Sequence, residues 1–162
     1  MRARLCLRRS GGERWVEARD FFSGLMSTLL EPEEILVEVA LPPPMPRSGW
    51  AFVEEARRHG DYAQVGVAAG VSLDEAGRCR EARLLYLSVG DRPVEAREAA
   101  RLLEGSVPSA EAIAAAAEKA SRDEMDPTGD IHASPAFKRH LARVLTGRAL
   151  RRAFARAQGE AA

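Results

Sequence analysis

The chain has 162 residues, 46% hydrophobic and 30% charged, with a formal net charge of zero. That length fits one domain, or one domain plus part of another, and the composition is globular rather than disordered. Balanced charge gives no global argument for nucleic acid or an anionic membrane. The charged N-terminus MRARLCLRRS lacks a signal-peptide core and no segment has the length of a membrane span, so the expectation is a cytoplasmic protein. Cys6 and Cys79 are isolated, which argues against a disulfide framework or a C-x-x-C site.

In chain order, MRARLCLRR alternates as a strand with Leu5 and Leu7 on one face. A strand so close to the start needs partners from elsewhere. The expectation is therefore that the chain is the later part of a longer protein. Gly11-Gly12 signals a turn and RWVE (14–17) a second strand. Phe21, Phe22, Leu25 and Leu29 follow, but Gly24 and Ser27 interrupt them, so a single short turn is expected. Ile35, Val37, Val39 and Leu41 alternate as a strand. PPPMPRSG (42–49) then forms a stiff connector and the best domain boundary, because proline cannot donate to a ladder.

Three strands are predicted next, at 50–58, 61–74 and 78–90, with a turn at DEAG (74–77), as an antiparallel meander. Ala63, Val65, Val67, Ala69, Val71 and Leu73 share one face, matched by Leu85, Leu87 and Val89 of the third strand. Tyr62, Gln64, Gly66, Ala68 and Gly70 face the other way. The remainder reads as three helices. The first has Pro93 at its first position and Gly105 as its stop. The second starts after Ser109, a good N-cap. The third starts after Ser134, with Phe137, Leu141, Val144 and Leu145 at helical spacing. The fold class is α+β: a strand-rich piece, then a three-stranded antiparallel sheet packed with a three-helix bundle.

Candidate chemistry is sparse. His59, His132 and His140 are scattered without cysteine neighbours, so no metal site is expected. There is no G-x-S-x-G elbow, no G-x-G-x-x-G and no Walker loop, and no catalytic acid, base or nucleophile is assigned. The last helix carries seven Lys or Arg between Lys138 and Arg156 and no acid. A basic helix end fits its own dipole, or an acidic partner subunit, better than nucleic acid. Asp61 and Tyr62 sit where a charged stretch meets a run of small residues. Two readings stay open: a turn leading into a strand, or an aromatic at the edge of a low face that leaves room for a flat ligand or another domain.

Three blocks, TLLEPEEILVEVALP (28–42), WAFVEEARRHGDYAQVGVAAGV (50–71) and GDIHASPAFKRHLARVLTGRAL (129–150), resemble in order and spacing the FAD-binding medium subunit of molybdenum hydroxylases. The branch resembled is that of the carbon monoxide dehydrogenase medium subunit, with xanthine dehydrogenase flavoproteins as relatives. The combination of P-x-E-I-L, R-R-x-G-D-Y-A and D-x-H-A-S carries this. The resemblance implies that 1–45 is the C-terminal remnant of the FAD-binding domain and 46–158 the C-terminal domain of the medium subunit. It implies Leu36 beside the isoalloxazine ring, Tyr62 stacked on or closing over it, and Asp61 supporting that segment. Glu54 would lie near the flavin, where some members carry Lys, and would set a negative charge beside a ring that gains electrons. Arg57 and Arg58 would be loop anchors or subunit contacts.

The implied function is that of a partial flavoprotein subunit. Electrons would pass from [2Fe-2S] clusters on a small partner subunit through FAD to an acceptor, with the molybdenum cofactor on a large partner subunit. Family members hold the FAD pyrophosphate with loops of the type A-G-G-H-S and T-I-G-G-N, and neither is in this sequence. Weak or absent FAD binding by this chain alone is therefore expected, with a separate N-terminal flavin-binding half as a further partner. The rival function is a stand-alone subunit-docking domain without flavin; a third is an unrelated small α+β enzyme.

Overall fold

The computed structural model describes residues 2–159. The chain divides into two compact units, Met1–Pro44 and Met45–Ala162.

In the first unit, β1 (Arg4–Arg9) and β2 (Gly12–Glu17) pair as an antiparallel hairpin turning at Ser10 and Gly11. On its other side β1 pairs antiparallel with β5 (Ile35–Ala40), giving the order β2-β1-β5. One helical turn, α1 (Ala18–Phe21), and a ribbon of two very short strands, β3 (Phe22–Gly24) and β4 (Ser27–Thr28), fill the interval. The expected short turn is there, and the ribbon is additional. Met26 reverses the chain inside it with φ 51.

A bulge at Cys6/Leu7 shifts the register against β5. Leu5 therefore lies opposite Val39 but Leu7 lies opposite Leu36. A bulge breaks the period of two on the partner strand, so simple alternation from Ile35 to Leu41 does not describe one face. Leu5, Leu7 and Phe21 form the apolar centre, with Val16, Ala18 and Leu30 against it.

In the second unit, β6 (Ser48–Glu55), β7 (Val65–Leu73) and β8 (Cys79–Leu87) form the expected antiparallel meander. The sheet gains a fourth, two-residue edge strand, β9 (Val94–Glu95), so that its order is β6-β7-β8-β9. Helices α2 (Arg97–Arg101), α3 (Ala110–Asp123) and α4 (Pro135–Ala157) follow. Helix α4 lies on β6 and β7, α2 packs on β8, and α3 packs on α4 and α2.

Two expectations need correction here. The first of the three helices does not begin at Pro93. Val94 and Glu95 pair with Tyr86 and Leu85 instead, and Ala96 N–H donates to the Leu84 carbonyl. Arg83 Nη2 and Glu95 Oε1, 2.5 Å apart, bridge the two strands. The edge of β8 thus pairs with these residues in place of a helical turn. The core face of β8 is also the opposite one. Register puts Tyr86 beside Val67, Leu84 beside Ala69 and Ala82 beside Val71, and residues directly opposite share a face. Leu85 and Leu87 therefore face away from the helices. Val89 is buried all the same, because Ser88 adopts φ 63 and breaks the alternation.

Both N-cap expectations hold: Ser109 Oγ accepts from Ala112 N–H at 3.1 Å, and Ser134 Oγ from Phe137 N–H at 3.2 Å. On α4 the buried stripe is Ala142, Leu145, Ala149, Leu150, Ala153 and Phe154, while Phe137 remains exposed. Small residues let this helix approach closely: a Cβ on Gly49 of β6 would overlap the Ala153 carbonyl. One polar pair is sealed in this core. Thr146 Oγ1 donates to the Ala142 carbonyl at 2.7 Å, so the Tyr86 hydroxyl, also at 2.7 Å, must be the donor to Thr146.

Candidate functional site

The segment that joins β6 to β7, residues 56–64, carries the Asp61-Tyr62 pair. Strand β7 begins at Val65, four residues later than its sequence suggests. The reason is local. Gly60 has φ +81, Asp61 N–H donates to the Arg58 carbonyl at 3.1 Å, and Asp61 Oδ1 accepts the Tyr62 N–H at 2.9 Å. That carboxylate takes a donor the ladder would need, so the chain turns instead of extending. Pairing resumes with Gln64 N–H donating to the Glu55 carbonyl at 2.8 Å. Tyr62 is left 95% exposed at the tip.

The loop 126–134, leading into α4, supplies the anchors of this segment. Asp130 Oδ1 accepts the N–H groups of His132 (2.7 Å) and Ala133 (2.9 Å), and Asp130 Oδ2 pairs with Lys138 Nζ at 2.8 Å. Lys138, in the first turn of α4, is buried. These donors, with Lys138 the largest influence, hold the Asp130 carboxyl down at about 2. His132 then meets the tip segment at both ends. Its Nδ1 lies 2.5 Å from Arg57 Nη1, and its carbonyl accepts from Gln64 Nε2 at 3.2 Å.

The four residues expected at a flavin site are divided between the units. Leu36 stands on β5 of the first unit, half-exposed. Asp61 and Tyr62 form the tip, and Glu54 is exposed on β6 of the second unit. Register sets Glu54 beside Gly66 on the sheet face away from the helices, with Trp50, Phe52, Ala68, Leu85 and Leu87. The low face expected along Gly66, Ala68 and Gly70 is not open. The Trp50 ring lies where a Cβ on Gly70 would be, and Phe52 and Leu87 close over Gly66.

The seven basic residues of α4 are largely engaged within the unit. Besides Lys138, Arg139 donates to the carbonyls of Ser121, Arg122 and Met125; Arg143 pairs with Glu118; Arg156 donates to the Trp50 carbonyl. Arg148, Arg151 and Arg152 are exposed. Burial pushes the Cys79 thiol up to about 11, which leaves it unreactive near neutral pH. Among the described residues, no group of three or more His, Cys, Asp or Glu side chains could hold a metal, and no helix is long and apolar enough to cross a membrane.

Three structural residues escaped sequence reasoning. Glu34 is buried and accepts from Arg14 Nε and Nη2 at 2.7 and 2.8 Å and from Glu31 N–H at 2.9 Å. Glu124 caps α2 from a distance, accepting the N–H groups of Glu98 and Ala99 at 2.9 and 2.6 Å. His132 carries no metal-site pattern, and its sequence signals are its place in the D-x-H-A-S motif and the Asp two residues before it, an Asx-turn pattern.

Residues 50–153 match the family described as the CO dehydrogenase flavoprotein C-terminal domain. The 6-hydroxypseudooxynicotine dehydrogenase complex subunit alpha of Paenarthrobacter nicotinovorans is 37% identical over 147 residues, covering 91% of this chain and 49% of that protein. Quinoline 2-oxidoreductase from Pseudomonas putida 86 superposes with a TM-score of 0.85 at 40% identity, over 97% of this chain and 53% of that one. Carbon monoxide dehydrogenase from Hydrogenophaga pseudoflava, in a form lacking the Mo-pyranopterin moiety of its molybdenum cofactor, gives a TM-score of 0.89 at 32% identity, over 96% and 53%. The chain thus spans about half the length of the relatives it matches, and it belongs to the CO dehydrogenase flavoprotein C-terminal domain family, as a homologue of the C-terminal half of the medium flavoprotein subunit.

Proposed function

We propose that this chain is part of the medium subunit of a molybdenum hydroxylase-type oxidoreductase and contributes the ring end of its FAD site. Residues 1–45 would be the last part of the flavin-binding domain and residues 46–158 the C-terminal domain. The observation that carries this is Tyr62: in a chain of a flavoprotein family, a fully exposed aromatic stands at the tip of a segment fastened at both ends. An exposed ring of this kind suits stacking on a flat heteroaromatic.

The donor set fits one end of FAD and not the other. Tyr62 suits an apolar ring, with Asp61 holding its backbone, and the resemblance would assign Leu36 and Glu54 to the same ring. A pyrophosphate needs clustered backbone N–H groups or cations, and the sequence has no glycine-rich loop of that kind. Bound FAD would supply electron transfer from [2Fe-2S] clusters on a small subunit to an acceptor, with substrate oxidised at a molybdenum cofactor on a large one. Tyr62 would cover the ring and limit access of water. The working location would be the cytoplasm.

The test is a titration of the purified chain with FAD, followed by flavin fluorescence. Weak or no binding is expected alone, and bound FAD is expected to rise when a separately produced flavin-binding half of a family member is added. A tight, stoichiometric yellow complex of the chain alone would overturn the divided-site proposal. A second function has its own support in the apolar sheet face bearing Trp50, Phe52, Leu85 and Leu87, where Phe52 is 53% exposed. Such a face suits a subunit-docking domain without flavin. No gain of bound FAD on mixing would favour it.

A further inference from the structure

We infer that His132 is the positioning residue for Tyr62. The inference rests on the flavin assignment for its purpose, but not for its geometry. The tip segment leaves β6 after Glu55 and enters β7 at Val65, and on each side of Tyr62 one side chain reaches the same residue. Arg57 Nη1 meets His132 Nδ1 at 2.5 Å, and Gln64 Nε2 meets the His132 carbonyl at 3.2 Å. Arginine can only donate, so Nδ1 is the acceptor and the ring proton sits on Nε2.

His132 is itself fixed. Its N–H donates to Asp130 Oδ1 at 2.7 Å, and Asp130 Oδ2 is held by the buried Lys138 of α4 at 2.8 Å. Helix α4 is the element packed along β6 and β7. The order of support therefore runs from the core, through Lys138 and Asp130, to His132, and from there to both legs of the segment. Asp61 N–H bonds back to Arg58, so the turn that carries Tyr62 moves with the Arg57 leg. An exposed tyrosine on a loose nine-residue connection would sample many orientations. Tied at both legs, its backbone is held and the range of the ring narrows.

Only the ring bond depends on the His132 side chain, because the bonds to Asp130 and Gln64 use its backbone. This permits a rescue experiment on the intact chain. His132→Ala removes the acceptor. His132→Asn restores an oxygen near the Nδ1 position. Amide hydrogen exchange of residues 56–64 is read for both. The second readout, on the same proteins and on Tyr62→Ala, is fluorescence of riboflavin, titrated to concentrations that populate weak binding, in the mixture with a flavin-binding half of a family member. In His132→Ala, exchange across the tip should quicken by about tenfold, the loss of one hydrogen bond to a charged group, while the urea midpoint of the second unit stays put. His132→Asn should return exchange toward the parent value. Quenching of riboflavin should fall in Tyr62→Ala, fall less in His132→Ala and recover in His132→Asn.

Unchanged exchange in His132→Ala, or failure of His132→Asn to restore it, overturns the positioning role, and a riboflavin response that still depends on Tyr62 would then leave the flavin assignment standing. Exchange that quickens and is rescued, with riboflavin indifferent to Tyr62→Ala, supports the positioning role and counts against the flavin assignment instead.

Discussion

The two units both build antiparallel sheets and stabilise them differently. In the second unit one sheet face is closed by helices: Val65, Val67, Ala69, Leu84 and Tyr86 meet Leu145, Ala149, Leu150 and Phe154 in one continuous core. In the first unit the apolar centre is Leu5, Leu7 and Phe21, and β5 leaves Ile35, Leu36, Val37 and Val39 between 37% and 65% exposed. Charge takes up part of the task there: Arg8–Glu13 at 3.0 Å, Arg9–Glu31 at 3.1 Å and the fork of Arg14 on Glu34. Exposed ion pairs contribute little, so the buried Glu34 pair and a small apolar centre carry the first unit. An apolar strand exposed in this way suits a surface covered by further protein.

Each unit has its own tryptophan, Trp15 and Trp50, so single-tryptophan variants report them separately. The largest effect is expected from Leu150→Ala. Leu150 is fully buried on α4, and such a truncation costs about 2–5 kcal/mol by lost burial and a residual cavity. Urea unfolding followed through Trp50 should show it. Leu7→Ala in the first unit, followed through Trp15, should cost less, because its partly open surroundings can collapse around the gap. Equal losses would break the contrast between a closed core and an open one.

Acid should sharpen it. Arg14 first, then the Glu31 N–H, hold the Glu34 carboxyl at about 2, below its ordinary 4.5. The folded value is the lower one, so this stabilisation is complete above about pH 4.5 and is lost as pH falls toward about 2. Glu34→Gln should therefore flatten the acid dependence of the Trp15 transition and leave that of Trp50 alone. In the second unit the lowered carboxyls are Glu95, Glu111, Asp123 and Asp130, and none of them involves Glu34. A Trp15 transition with the same acid slope in both proteins would mean that other carboxylates hold the first unit.

Legibility in the sequence followed the range of the interactions. Strands β1, β2, β5, β6 and β7 and the helices capped by Ser109 and Ser134 were readable, because period and caps are local. The core face of β8 was not. Residues 84–87 read LLYL, apolar at every position, and only pairing with Val67 and Ala69 decides which face is inside. Helix α2 failed for a related reason: Pro93 is a good helix start, but the free edge of β8 competes for Val94 and Glu95, and the cap comes from Glu124, more than twenty residues away. The tip residues Asp61 and Tyr62 drew notice as a change of composition. Their anchor, His132, lies seventy residues from Tyr62 and has no local pattern that names its partner. The resemblance located the motif D-x-H-A-S, and only the fold brings that motif to Arg57 and Gln64.

The smallest stability effect is expected at the residue given the most functional weight. Tyr62 is 95% exposed, and its backbone N–H donates to Asp61 Oδ1. Tyr62→Ala should therefore shift neither the Trp15 nor the Trp50 transition by more than about 0.5 kcal/mol, the usual range for a surface substitution away from packing. Single exposed apolar side chains are common on protein surfaces, so what singles out this tip is the anchoring of its segment in a chain of a flavoprotein family. If the variant instead destabilised the second unit as a core truncation does, Tyr62 would be a packing residue, and the flavin assignment would lose the observation that carries it. If stability is unchanged and FAD in the reconstituted subunit becomes more fluorescent, the tip is where the chain meets the ring.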